Sequence, residues 1–283
     1  MKIAIVGEKE RAKAWEKHLR KLSIVNEVII TGSLSDLDIH SVLLIDDSDN
    51  NLQHLLQSIK SGYHTYLISK LPTHLPLLEK IFHASEEAEV QVQFSHWPSM
   101  TESMNWIRQQ IDKTDLIQIK KETVPVNYRF VDRTEFDHDW VDELALIIKW
   151  MGGNVHRYEV KPIILDSLYL GLNLTLRFEN AAVASIQYLG SADREVHQRI
   201  FSARTALADC DVIKHSVRLH TLSELKQLTV RKKTFDPVDT AEWSVVQFIK
   251  SIQLKQPTLF SPYDALQTAK SADQIKRLMD KNT

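Results

Sequence analysis

Two residue types are scarce in this sequence. It contains seven glycines in 283 residues, where an average globular protein of this length would have about twenty. Loops that depend on glycine, above all those that bring the backbone close to a phosphate, can therefore occur at few positions. The single cysteine, Cys210, excludes a disulfide within the chain.

Long apolar runs and an excess of one charge are also missing. No apolar run approaches the roughly 20 residues that a membrane-spanning helix needs. The net charge of -2 offers no electrostatic attraction to nucleic acid or to an anionic membrane. The first residues, MKIAIVGEKER, have no signal-peptide pattern. These absences favour a cytoplasmic protein, and the length favours two domains.

In the first ~95 residues, short apolar runs alternate with helical patterns. Strands are predicted at Lys2–Gly7, Glu27–Thr31, Ser41–Asp46, His64–Ile68 and Val90–Phe94. Helices are predicted between them, at 8–22, 50–61 and 74–86. Because strands that alternate with helices form βαβ units, we expect a parallel sheet of the Rossmann type.

The rest of the chain has a different pattern. Helices are predicted at 99–112 and 138–151, and strands at 154–161, 169–178, 182–189, 195–203, 211–217 and 226–231. Successive strands indicate a large, mostly antiparallel sheet. Two more helices are predicted at 237–252 and 262–280, where Asp236-Pro237 and Ser261-Pro262 supply a cap and a proline at the first helical position.

The predicted fold class is therefore α/β followed by α+β. A trimmed Rossmann-type domain covers residues 1–97, and an α+β domain covers residues 98–283. This prediction leaves open whether the C-terminal helices pack back on the first domain.

Four stretches in this order resemble the Gfo/Idh/MocA family of NAD(P)-dependent oxidoreductases. Residues 61–72, SGYHTYLISKLP, are similar to the family's G-x-H-V-x-x-E-K-P segment. Residues 89–98 are similar to the strand and R-x-x-P that follow it. Residues 139–152 are similar to the D-x-G-x-H helix, and residues 248–275 to the family's terminal segment. The resemblance implies NAD or NADP as cofactor and hydride transfer with a sugar or polyol.

The cofactor loop implied by the resemblance begins at Gly7. The family's G-x-G-x-x-G/A falls on Gly7, Lys9 and Ala12. Lysine replaces the middle glycine, which lets the backbone approach the pyrophosphate. Lys9 and Arg11 could instead supply charge at the helix N-terminus. A surface loop that binds nothing is the alternative.

The adenosine side of the implied site departs further from the pattern. NAD enzymes hold the ribose with an acidic residue at the end of the second strand, where this chain has Thr31. Asp36 or Asp38 could substitute. Asp46, at the end of the third predicted strand, is a further candidate cofactor-binding residue. Only nine residues separate Thr31 from Ser41, too few for a crossover with its own helix. We therefore predict that the family's second helix and third strand are missing.

The resemblance assigns catalysis to a lysine and to one helix. Lys70 matches the lysine of E-K-P, Asp139 matches the family's aspartate, and Glu143 replaces its proton-accepting histidine. An unperturbed glutamate is an anion at pH 7, since its pKa is about 4.3. Burial could raise that pKa, or Glu143 could form an ion pair with Lys70 and catalyse nothing.

Further residues complete the implied site. Aromatic residues His96, Trp97 and Tyr128 could line the substrate side or be core residues. The acidic cluster at 132–139 suits the start of a helix better than a metal. Long strands at 169–203 predict a homo-oligomer that pairs through the second domain's sheet. Two functions stay open: an NAD(P)-dependent sugar or polyol oxidoreductase, and a non-catalytic module that binds a small ligand or a partner protein.

Overall fold

The structure is a computed structural model that describes residues 1–34, 38–125, 133–166, 168–236 and 240–281. The chain divides into two compact units. Unit 1 comprises Met1–Met100 and Val238–Lys270, and unit 2 comprises Thr101–Pro237 and Ser271–Thr283. The division after Met100 lies close to the predicted boundary after residue 97.

Unit 1 is an α/β unit whose predicted elements are present. Its strands are β1 (Lys2–Val6), β2 (Glu27–Thr31), β3 (Ser41–Ile45), β4 (His64–Ile68) and β5 (Val92–Phe94). Its helices are α1 (Lys9–Leu19), α2 (Asn51–Lys60), α3 (Leu75–Glu87), α4 (Trp97–Met100), α7 (Thr240–Leu254) and the first half of α8 (Pro262–Lys281).

The five strands form a parallel sheet in the order β2-β1-β3-β4-β5. Ile3, Ala4 and Ile5 are fully buried. This is expected for a strand of a parallel sheet whose two faces are both covered by helices. A doubly wound nucleotide-binding sheet has the order 3-2-1-4-5-6. The present order is that arrangement without its third strand.

The connection from β2 to β3 explains the missing strand. Its described residues, 32–34 and 38–40, form neither helix nor strand. β3 pairs directly with β1, with Val42 opposite Ala4. The prediction of a trimmed Rossmann-type sheet is therefore confirmed for the described residues.

The described residues of unit 2 form eight strands and three helical segments. The strands are β6 (Leu116–Glu122), β7 (Val155–Leu165), β8 (Leu168–Phe178), β9 (Val183–Leu189), β10 (Val196–Ser202), β11 (Ala206–Asp211), β12 (Ser216–Leu222) and β13 (Leu228–Thr234). The helices are α5 (Glu102–Gln110), α6 (Arg133–Met151) and the second half of α8.

The eight strands form one sheet in the order β13-β12-β11-β10-β6-β9-β8-β7. The β6–β9 pair is parallel and the other pairs are antiparallel. The strands alternate between buried and exposed residues: Leu172, Leu174 and Leu176 are buried, whereas Asn173 and Arg177 are exposed. α6 lies against β8 and β9 on the buried side. The predicted large, mostly antiparallel sheet is confirmed.

Three details differ from the predictions, and the first is that no strand was predicted over β11 before Asp211. β6 was not predicted, although its residues alternate in polarity. The predicted strand at 211–217 is wrong as one strand, because residues 212–215 form the turn between β11, which ends at Asp211, and β12, which begins at Ser216. The turn is fixed by the Asp211 carboxylate, which accepts a hydrogen bond from the Lys214 backbone at 3.0 Å, and by a left-handed residue at His215 (φ 47°).

The predicted caps of the last helices have separate outcomes. At the start of α8, the Ser261 hydroxyl accepts from the Asp264 backbone at 3.3 Å and donates to the Asp264 carboxylate at 2.9 Å. This reciprocal capping confirms the prediction for Ser261. At α7, Pro237 lies outside the described residues. In the part of the chain that is described, no helix is long and apolar enough to cross a membrane.

Candidate functional site

A cleft of about 390 Å³ opens at the carboxyl ends of β1 and β3 in unit 1. Its polar lining consists of Gly7, Gly32, Ser33, Asp46, His54 and Gln57. The chain passes from β1 to β2 on one side and then returns to β3 on the other side of β1. In open α/β sheets, ligands bind outside the strand ends at such a switch point. The cleft therefore lies where this fold places a ligand.

Gly7 is required by the packing of two strand ends. Its φ is +150°, and a Cβ built on it would lie 2.6 Å from the Ile45 carbonyl oxygen. The glycine therefore allows β1 to end directly against β3, whether or not a ligand is bound. Ala12 is also fully buried, which makes it a packing residue of α1.

The charged residues predicted near the phosphates are exposed at the start of α1. Lys9 is the first residue of the helix, and the Glu8 side chain does not cap it. Arg11 forms an ion pair with Asp47, with an N–O distance of 2.5 Å. The described backbone N–H groups of this helix end remain able to attract an anion, but Arg11 is already paired.

At the end of β2, the Thr31 side chain is hydrogen-bonded within the loop that follows it. Its hydroxyl accepts from the Ser33 backbone and donates to the Ser33 carbonyl, both at 3.3 Å. Asp38 forms an exposed ion pair with Lys2 at 2.7 Å. Asp36, which was proposed as a substitute acid, lies outside the described residues.

Asp46 is the acid that the structure places in the cleft. One carboxylate oxygen accepts from the Ser48 backbone at 2.9 Å, and the other contacts His54 Nδ1 at 2.6 Å. Its side chain is 14% exposed. Partial burial opposes ionisation, but the hydrogen bonds from Ser48 and His54 hold the pKa of Asp46 below its usual value. Asp46 is therefore a fixed anion at neutral pH.

Lys70 lies in the loop after β4, at the same carboxyl edge of the sheet. The Ser95 hydroxyl donates to the Ser69 carbonyl at 2.7 Å and accepts from the Ser69 backbone at 3.0 Å. Leu71 is buried. The loop is therefore anchored on both sides of Lys70, whose side chain is exposed.

The aromatic residues predicted for the substrate side have packing partners in unit 1. His96 is buried against Phe260, with ring centroids 4.4 Å apart, and its Nδ1 contacts the Ser99 hydroxyl at 2.8 Å. Trp97 stacks on Trp15 at 6.2 Å and is 38% exposed. Tyr128 lies outside the described residues, as does Asp132 of the acidic cluster.

Glu143 is a buried ion-pair residue in unit 2. Arg199 donates to its carboxylate through Nε at 2.8 Å and Nη2 at 2.6 Å, and His197 Nε2 contacts it at 2.9 Å. Glu143 is 1% exposed and Arg199 is 2% exposed. Burial alone would raise the pKa of Glu143, but Arg199 and His197 hold it well below its usual value. The residue at the position of the family's histidine is therefore an anion with both oxygens engaged.

Asp139 lies one turn before Glu143 and has its own partners. Lys121 Nζ donates to Oδ1 at 2.7 Å, and the Tyr188 hydroxyl donates to Oδ2 at 2.7 Å. The Asp139 side chain is 32% exposed. Nearby, burial and the charge of Glu143 raise the pKa of Asp142 to about 6. Asp139 is the more accessible of the two predicted helix carboxylates.

Sequence reasoning missed Lys121, His197 and Arg199. These residues occupy inward positions on β6 and β10, because Lys121 pairs with His197 and Arg199 pairs with the buried Ile119. A usable signal was present, since alternation puts Arg199 and Phe201 on the same face. A charge at an inward position requires a partner.

Among the described residues, no group of three or more His, Cys, Asp or Glu side chains is arranged to hold a metal ion.

Solved structures share this two-unit fold. UDP-N-acetylglucosamine 3-dehydrogenase GnnA from Acidithiobacillus ferrooxidans superposes with a TM-score of 0.83 at 10% identity, over 100% of this chain and 98% of that one. An NAD binding oxidoreductase from Klebsiella pneumoniae gives 0.84 at 10% identity, over 100% and 97%. A dehydrogenase from Chromobacterium violaceum gives 0.81 at 13% identity, over 99% and 96%.

The likeness shows that the chain has the fold of these solved dehydrogenases, which is the fold that the resemblance implied. No protein-family model and no curated protein sequence matches the chain.

Proposed function

We propose that the protein is an NAD(P)-dependent oxidoreductase that acts on a sugar or polyol. The observation that carries the proposal is the cleft at the switch point of the unit 1 sheet, between the ends of β1 and β3. The fold of the solved dehydrogenases supports the nicotinamide cofactor, and the named substrate of GnnA supports a sugar-like substrate.

The residues around the cleft fit the adenosine half of a dinucleotide. Apolar side chains of Val6, Leu34 and Leu44 line it together with the carboxylate of Asp46, a mixture typical of small-molecule sites. The N-terminus of α1 suits the phosphates, with Lys9 as an added cation. When bound, the nicotinamide ring would accept or donate the hydride.

Two residues are assigned to the chemistry. Lys70 is exposed on an anchored loop, and we assign it contacts with substrate and cofactor. We assign the transfer of the proton to Asp139, because its side chain is 32% exposed whereas Glu143 is 1% exposed. Both carboxylates have hydrogen-bond partners, so exposure is the difference between them. Glu143 then serves to hold the helix and sheet of unit 2 together.

Cofactor binding is the first test. The melting temperature is measured with NAD⁺, NADH, NADP⁺ and NADPH at millimolar concentration. A ligand present at 100 times its dissociation constant stabilises the folded state by about 2.7 kcal/mol. No shift with any of the four would refute the proposal.

Turnover is the second test. Absorbance at the nicotinamide band is followed with a panel of sugars, nucleotide sugars and polyols. Lys70→Met and Asp139→Asn are expected to abolish turnover. Asp139→Asn should leave cofactor binding unchanged, whereas Lys70→Met should weaken it because the assigned cofactor contact is lost. Lys80→Met, an equally exposed lysine on α3, is the matched control and should retain full turnover.

A non-catalytic binding module is the second candidate. The observation that favours it is the buried ion pair at Glu143, which removes a proton acceptor from the position that the family uses. This candidate predicts cofactor or ligand binding without turnover on any member of the panel. Turnover that depends on Lys70 would exclude it.

A further inference from the structure

We propose that the unit 1 cleft selects a nucleotide with an unphosphorylated ribose, and that Asp46 is the acceptor for the ribose hydroxyls. This inference rests on the proposed dinucleotide binding and assigns its specificity. It makes Asp46 a specificity-determining residue and NAD(H) the preferred cofactor over NADP(H).

The end of β2 cannot supply that acceptor from its described residues. Thr31 carries no charge, and its hydroxyl is bonded within its own loop to Ser33. Asp38 is paired with Lys2 on the surface. The position that holds the ribose in other NAD-binding sheets is therefore without an acid in this part of the structure.

Asp46 occupies the opposite wall of the same cleft. β2 and β3 flank β1 on its two sides, so their ends are two strand spacings apart, about 10 Å. The ends of both strands line the cleft: Gly32 and Ser33 follow β2 on one side, and Asp46 follows β3 on the other. A nucleoside that spans this width can present its ribose to Asp46 instead of to the end of β2.

The carboxylate is oriented and retains acceptor capacity. An ionised carboxylate has about four lone-pair sites, and the Ser48 backbone, the Ser48 side chain and His54 each occupy one. These contacts fix the side chain in one orientation. The carboxylate can still accept a hydrogen bond from a ribose hydroxyl.

The surrounding charges disfavour a 2′-phosphate. A phosphate monoester carries about -1.5 to -2 at pH 7 and would lie next to the Asp46 carboxylate. NADP enzymes usually accommodate this group with an arginine. Arg11 is paired with Asp47, and among the cleft-lining residues the one basic side chain, His54, contacts Asp46 itself.

The test uses calorimetric titration of the full chain with NAD⁺, NADP⁺, AMP and 2′-deoxy-AMP. The wild-type protein should bind NAD⁺ at least about tenfold more tightly than NADP⁺ and AMP about tenfold more tightly than 2′-deoxy-AMP. In the variant Asp46→Asn both ratios should fall toward one. The matched control Asp49→Asn, an exposed acid just outside the cleft, should keep both.

The outcomes separate this inference from the proposed function. Tighter binding of NADP⁺ than of NAD⁺, or equal binding of AMP and 2′-deoxy-AMP by the wild-type protein, overturns the inference without any variant. Binding of NAD⁺ that is unchanged by Asp46→Asn also overturns it and leaves the proposed function intact. No binding of any of the four probes overturns both.

Discussion

The buried ion pair in unit 2 makes a strong prediction about Glu143→Gln. If Glu143 were a general base, this change would abolish turnover and leave stability largely intact. The structure predicts a loss of stability instead. Glutamine has nearly the same shape but no charge, so Arg199 would remain a buried cation with one neutral acceptor.

The size of the effect follows from the burial of both partners. Removing one partner of a buried ion pair costs about 3–5 kcal/mol, because the other charge is left uncompensated. The glutamine carbonyl can still accept one hydrogen bond from Arg199, so the lower end, about 3 kcal/mol, is expected. Replacing both residues, as Glu143→Leu with Arg199→Met, should cost much less than either single change, since no charge is then buried alone.

The assay is urea denaturation at pH 7, with Glu16→Gln as the matched control. Glu16 pairs with Arg20 across one turn of α1, and Arg20 is 66% exposed, so that change should cost about 0.5 kcal/mol or less. A loss below about 1 kcal/mol for Glu143→Gln would refute the structural role. If the double variant were as unstable as the less stable of the two single variants, the ion-pair explanation would be refuted.

The loss of stability caused by Glu143→Gln should itself depend on pH, and its direction can be predicted. Because the pKa of Glu143 is lowered in the folded state from a reference of 4.5, its contribution is complete above that reference. It is lost as the pH falls through the folded value. In an Asp142→Asn background, which removes the neighbouring acid whose pKa Glu143 raises, the difference in stability caused by Glu143→Gln should therefore shrink as the pH falls below 4.5.

Other features of the structure make separate predictions. The pKa of Asp142 is raised to about 6, so wild-type stability should fall relative to Asp142→Asn as the pH rises from about 4 to 6, by about 1–3 kcal/mol in total; a flat difference in denaturation experiments would contradict the assignment. Gly7→Ala should lower stability by about 2 kcal/mol or more because its Cβ would lie 2.6 Å from the Ile45 carbonyl, whereas Gly32→Ala, with nothing within 4 Å, should change the melting temperature little. The strands at 169–203 predict a homo-oligomer, and a monomer at high concentration in light scattering would be evidence against it.

Most of the fold could be predicted because its signals are local. Buried parallel strands such as Ser41–Ile45 are short apolar runs, and the alternation of Leu172–Leu176 indicates a half-covered sheet. The missing strand after Thr31 followed from chain length alone. β6 was missed because its inward Lys121 interrupts the apolar alternation with a charge whose partners lie far away in the sequence.

The site was less predictable because pairing is not local. Motif spacing identified Glu143 and Asp139, but nothing near them in the sequence indicates that Arg199, 56 residues later, neutralises Glu143. Likewise, Asp46 was one of several candidate cofactor-binding residues, and the candidate substitute acids were Asp36 and Asp38. Only the strand order, with β3 directly beside β1, places Asp46 rather than Asp38 in the cleft.

The two departures from the family pattern have different physical consequences. In unit 1, loss of a βα unit removes the usual position for a ribose-binding acid, yet the pairing of β3 with β1 places another carboxylate at the switch point. In unit 2, the position that the resemblance aligns with the family's histidine holds Glu143, whose carboxylate Arg199 and His197 keep ionised in a buried ion pair. The first difference leaves a carboxylate in the cleft where we propose that a nucleotide binds. The second requires that any proton transfer use another residue, which is why cofactor titration and turnover must be measured separately.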